Sequence, residues 1–223
     1  MNLRITTFAI VLLTTLSSAQ AELTYDLLLR TNRGDGMDSA IATTAGEALN
    51  AEVVLRETAT GSDSTLIGTA NLNAFNLSLQ SIGSDGLFES LTLNGDGGFD
   101  AGSSPSTLTF AAFGPGFGQP GRTSIDRGNG IFEASLGTVT LRAPTVGETR
   151  FVLSDGSAVD GDFTTFQTVG FGLESAAANS GGGFFGRALT LSSQVTAIPE
   201  PSSALALSLV CTFGLLRSRR RRR

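Results

Sequence analysis

Ile131-Phe-Glu-Ala-Ser-Leu-Gly-Thr-Val-Thr-Leu141 decides the reading of the fold. Thr138 and Thr140 sit opposite Val139 and Leu141, the two-residue alternation of a half-buried strand. The same grammar extends outward in both directions. Strands are expected near Leu23–Arg30, Ala51–Thr58, Thr65–Ala70, Leu72–Leu79, Leu87–Leu93, Leu108–Ala112, Arg150–Leu153, Thr164–Leu173 and Arg187–Val195. Leu87, Leu91 and Leu93 are placed on one face, as are Leu189, Leu191 and Val195. Between them fall turn strings such as Gly34-Asp35-Gly36, Gly61-Ser62-Asp63, Gly83-Ser84-Asp85-Gly86 and Gly181-Gly182-Gly183. No body segment sustains a capped 3.6-residue apolar period. Ten short strands therefore predict an all-β body, an antiparallel β-sandwich or jelly roll. Leu, Val, Ile and most of the 15 Phe would fill its core, and 114–130 would be a surface excursion. No fixed-period repeat points to a solenoid or propeller.

Composition removes whole chemistries. The 223 residues contain no His, no Lys and no Trp, one Tyr (Tyr25) and one Cys (Cys211). Without His there is no Ser-His-Asp or Cys-His system and no His-ligated metal. Without Lys there is no Schiff-base or P-loop lysine. One Cys makes neither an internal disulfide nor a zinc cluster.

The two ends read as addressing segments. Arg4, the apolar run Phe8–Leu16 and Ala19-Gln20-Ala21 make 1–21 a signal peptide, with Ala19 and Ala21 at the −3 and −1 positions of cleavage before Glu22. The run is too short to cross a bilayer. At the other end, Pro199-Glu200-Pro201 precedes 15 uncharged residues, Ser202–Leu216, and then Arg217, Arg219, Arg220, Arg221, Arg222 and Arg223. Such a helix would cover only ~22 Å, so snorkelling arginines and local thinning must help it span. The Arg cluster retains the tail inside and leaves the body outside. Residues 22–196 are then the β domain and 197–223 the sorting segment. That domain, counted from Glu22 to Ile198, carries eight Arg against 19 acidic residues, a net charge of −11. An acidic body repels nucleic acid, which is excluded as a partner.

The tripeptide, short apolar helix and Arg run, in that order, resemble the PEP-CTERM sorting signal of exported bacterial proteins. The resemblance implies that an exosortase, a membrane-embedded enzyme like a cysteine protease, recognises Pro199, Glu200 and Pro201 and processes the tail. It also implies surface display, in bacteria that make extracellular polysaccharide and biofilm. In the body, Val53-Val54-Leu55-Arg56-Glu57, an apolar-polar strand and Leu136-Gly137-Thr138-Val139-Thr140-Leu141 resemble cohesin-like sandwiches of bacterial surface proteins.

Candidate sites within the body are few. Asn94, Asp96 and Asp100 occupy positions 1, 3 and 7 of a calcium-loop spacing, but position 5 is Gly98 and position 12 is Pro105, so a hairpin turn is preferred. Asp155, Asp160 and Asp162 form a second acidic loop read the same way. Gly116-Phe-Gly-Gln-Pro-Gly121 has the letters of a dinucleotide fingerprint without the strand and helix its mechanism needs. Arg33-Gly34-Asp35 is read as a plain turn rather than an adhesion signal. Carboxylate pairs for glycoside hydrolysis lack the usual aromatic platform. The expectation is an exported, non-enzymatic surface or matrix protein without catalytic residues or cofactor. Its partners would be the secretion translocon, the exosortase, the membrane through the C-terminal helix before processing, and extracellular polysaccharide. The alternative is a secreted polysaccharide- or calcium-binding sandwich on an ordinary membrane anchor.

Overall fold

A computed structural model describes residues 22–61, 65–83, 85, 87–93, 98–100, 104, 106–112, 122–156, 163–165 and 172–194. The strands are β1 (Glu22–Arg30), β2 (Ser39–Thr43), β3 (Ala48–Thr60), β4 (Leu72–Gly83), β5 (Leu87–Leu93), β6 (Gly98–Asp100) and β7 (Thr107–Ala112). They continue with β8 (Ser124–Gly128), β9 (Ile131–Arg142), β10 (Gly147–Asp155), β11 (Thr164–Thr165), β12 (Gly183–Gly186) and β13 (Ala188–Ser193). One helix, α1 (Gly172–Ser180), stands before β12.

Two sheets share these strands. The first runs β12-β1-β3-β9-β5, with β8 also on β9; the second runs β2-β13-β10-β4-β7-β6, with β11 on β4. The inward side chains of both form one core, including Leu27, Leu55, Val139 and Leu141 from the first and Leu77, Leu79, Phe151 and Leu189 from the second. Stacked or tilted rings run from Tyr25 through Phe184 and Phe163 to Phe75, and Phe88 meets Phe151 edge-on. Aromatic pairs of this geometry add about 0.5–1.5 kcal/mol each beyond their buried area.

The expected sandwich is therefore present, with specific departures. It is not wholly antiparallel, because β12 joins β1 in parallel and β13 joins β2 in parallel. Thr65–Ala70 is a turn and not a strand: the Leu66 and Ile67 amides donate to the Glu57 carboxylate rather than to a ladder. Of the expected strand Thr164–Leu173, Thr164–Thr165 form β11 and 166–171 lie outside the described residues, while Leu173 lies in the helix Gly172–Ser180. Leu173 and Ala177, one turn apart, are its buried face. Its end is a Schellman cap, with Gly181 at φ +85°, Gly182 N donating to Ala177 O and Gly181 N donating to Ala178 O. Leu87 does not share a face with Leu91 and Leu93, because a bulge between Phe88 and Ser90 flips the alternation and leaves Leu87 exposed. Within the expected excursion 114–130, residues 124–128 form β8.

No helix among the described residues is long and apolar enough to cross a membrane. Residues 1–21 and 195–223, on which the expected signal peptide and sorting segment fall, lie outside the described residues.

Candidate functional site

Among the described residues, the outer face of the first sheet carries the densest charge arrangement. Three cross-strand rows define it: Asp26-Arg56-Glu133, Leu28-Val54-Ser135 and Arg30-Glu52-Thr138 on β1, β3 and β9. Glu133 points away from the core but is only 4% exposed, because three guanidinium groups close over it. Arg30 Nη2 lies 2.5 Å from Oε1, Arg56 donates to the same oxygen from Nε at 3.0 Å and Nη2 at 2.9 Å, and Arg127 Nε reaches Oε2 at 2.6 Å. Arg30 reaches Glu133 diagonally across the middle row, where Leu28 and Val54 are buried although they are outside the main core cluster. Long arginine stems can cover apolar surface in this way while the charged heads stay wet.

Burial alone would raise the Glu133 pKa, but the hydrogen bonds from Arg30, Arg127 and Arg56 outweigh it and hold the carboxyl below its usual range. Three positive charges face one carboxylate, and Glu52 adds a second, longer pairing to Arg30 at 3.7 Å. Arg30, Arg56, Arg127, Ile131 and Glu133 line an open depression of about 480 Å³. A second depression of about 340 Å³ shares Arg30 and is lined by Thr31, Asn32, Asn50, Glu52 and Thr138.

Two other buried carboxylates act within the fold. Glu57 is fully buried; its Oε2 accepts the Tyr25 hydroxyl at 2.6 Å and the Ile67 amide at 3.0 Å, and the Leu66 amide bonds both oxygens. Burial first, then the Glu57 charge and hydrogen bond, push the Tyr25 pKa far above its usual value. Asp26 takes Arg187 Nε at 2.7 Å and Nη2 at 2.6 Å, while Asp38 holds the Ala188 amide. That pair fixes the point where the chain passes from β12 in one sheet to β13 in the other.

The residues expected from sequence fall elsewhere. Asn94, Asp96, Asp160 and Asp162 lie outside the described residues, as do Ala19, Ala21, Pro199, Glu200, Pro201 and the terminal arginines. Asp100 belongs to β6 by its backbone, and Asp155 ends β10, where it pairs with Leu77 of β4. Arg33-Gly34-Asp35 lies in a tight turn, with Thr31 N donating to Gly34 O at 2.9 Å and Asp35 Oδ1 accepting from Met37 N. Among the described residues no group of three or more His, Cys, Asp or Glu is placed to hold a metal. The arginine cluster escaped sequence reading. Each of its residues occupies an outward strand position, but only the cross-strand register shows that they meet.

The fold defines a two-sheet β-sandwich of the mixed kind. No family model and no curated protein matches the chain. Among solved structures it is similar to the sixth cohesin of scaffoldin B from Acetivibrio cellulolyticus, solved with a Cel5 dockerin, at 6% identity over 78% of this chain and 99% of that one, TM-score 0.45. It is also similar to a type III cohesin module from a cell-surface anchoring scaffoldin of Ruminococcus flavefaciens, at 13% identity over 80% and 91%, TM-score 0.40. The pilus backbone protein of Streptococcus pneumoniae matches at 12% identity over 65% of this chain and 34% of that one, TM-score 0.35. Cohesin modules are thus among the matches. No residue role is carried over from any of them.

Proposed function

We propose that this chain is an exported, non-enzymatic protein of the bacterial cell surface or extracellular matrix, sorted and processed through its C-terminal segment. The observation that carries the reading is the ordered run of Pro199-Glu200-Pro201, 15 uncharged residues and six arginines, with a signal-peptide pattern at the other end. The body is consistent with a structural role. Glu57, Glu133 and Asp26 each bind donors from other strands or turns, so their hydrogen bonds join parts of the fold. Carboxylates used in this way hold strands in register. An exosortase would act on Pro199–Pro201 after the translocon has exported the body and the tail has lodged in the cytoplasmic membrane.

Intact mass and C-terminal peptide mapping of protein recovered from the outer surface of native cells test this. The expected chain begins at Glu22 and ends near Pro199–Pro201, or carries added mass there. A Glu200→Ala chain should keep its tail. Wild-type protein that retains Arg217–Arg223 in the membrane fraction would overturn processing and leave the tail a permanent anchor.

A further inference from the structure

We infer that the outer face of β1, β3, β8 and β9 is a binding site for a carboxylate-bearing sugar, with Arg127 and its neighbours taking the carboxylate and the adjoining trough taking hydroxyls. The inference goes beyond the sorting reading and does not depend on it, since the site lies in the folded body. It starts from charge. The body is strongly acidic, with only eight arginines, yet three of them converge on Glu133, and Glu52 and Asp26 are the other acids of their rows. Arg30 and Arg56 both reach Oε1 of Glu133, so Arg127 takes Oε2 and is held against the face by it.

The unused donors lie on the wet side. Arg127 is the most exposed of the three, and only its Nε bonds Glu133; among the described residues Nη1 and Nη2 have no partner. A guanidinium presenting two parallel N–H groups matches a planar carboxylate. Glu133 fixes the Arg127 side chain in advance, which lowers the entropy cost of binding.

The neighbouring trough supplies the second half of the recognition. Thr31, Asn32, Asn50 and Thr138 line it, and Arg30 belongs to both depressions. The Asn50 Oδ1 accepts from Thr140, which orients the carboxamide, and among the described residues its two N–H donors have no partner. Neutral amides and hydroxyls of this kind suit sugar hydroxyl groups. Glu52 also lines this trough and would repel an anion there, so the ligand's carboxylate is steered to the arginine end. A free oxyanion would use only that end, whereas a uronic-acid sugar would use both.

The test titrates the full-length chain with a galacturonic-acid trisaccharide, its methyl ester and inorganic sulfate, following heat or intrinsic chemical shift. The acid trisaccharide should bind, the uncharged ester should not, and added salt should weaken the complex. Arg127→Gln should weaken binding about tenfold or more, the scale of a lost charged hydrogen bond. Arg150→Gln, which removes the same charge from the other sheet, should leave it unchanged. Asn50→Ala should weaken the trisaccharide while sparing sulfate. Absence of trisaccharide binding, or equal binding by folded Arg127→Gln protein, overturns the site. Sulfate and trisaccharide binding equally, with no effect of Asn50→Ala, would mean an adventitious ion only and overturns the sugar assignment.

Discussion

Tyr25 is the only tyrosine, so its phenol reports on one place in the core. Because its folded pKa is raised above the unfolded value near 10, the neutral phenol contributes stability that is full below that pH and is lost as pH rises past it. Phenolate absorbance should therefore appear only as the chain unfolds in alkali, with one midpoint shared by the far-ultraviolet signal. Ionisation preceding unfolding would contradict the buried Tyr25–Glu57 bond. Glu133 has the opposite sign. Its depressed pKa stabilises the fold above the unfolded value near 4.3, and the contribution fades as pH falls through the folded value. Glu133→Gln should cost about 3 kcal/mol at neutral pH in urea denaturation, the scale of a broken buried ion pair, with a smaller difference in acid. None of this was legible in the sequence. Glu57 and Glu133 both occupy strands, but one faces the core and the other faces out, and only Glu57 bonds the turn at 66–67.

At the scale of elements, the legible strands were those with uninterrupted alternation, β9 above all. The misread ones failed for identifiable reasons. Thr65–Ala70 has an apolar cluster at strand length, yet the Leu66 and Ile67 amides are captured by a carboxylate nine and ten residues back. Helix α1 has only nine residues, too few for a periodic pattern, although the Ala-rich run closing on Gly181-Gly182 was a usable end signal. The short strand β12 is written Gly-Phe-Phe-Gly because of close backbone approach: a Cβ on Gly186 would lie 1.8 Å from the Leu153 carbonyl oxygen. Gly186→Ala should cost at least about 3 kcal/mol, the upper range of overpacking, since backbone cannot swing aside. Gly128→Ala meets nothing within 4 Å and should cost only the ~1 kcal/mol of a left-handed residue. Equal denaturation midpoints for the two variants would refute the contact.

For the molecule as a whole, the sandwich was legible but the distribution of strands between sheets was not. Glycine turns announce that the chain reverses without saying whether it stays in the same sheet. The turn after β4 crosses to the first sheet, and the connection after β9 crosses back. Asp85 ties these two crossings together through the Thr145 amide at 3.0 Å and hydroxyl at 2.6 Å, bonds that also hold its pKa low. Such a tie joins residues 60 apart and has no local signature.

The two parallel pairings have a mechanical meaning. Glu22 lies beside Thr60 at one pole, whereas Ser193 lies beside Thr43 and Gly147 at the other. Traction applied through the chain beyond Gln194 would enter along the axis of β13, which is flanked by β2 on one side and β10 on the other. Its rungs lie across that pull and must slide together, rather than parting one by one as at a peeled edge. A protein held by its C-terminal end in flowing liquid would resist extraction of its last strand by shear.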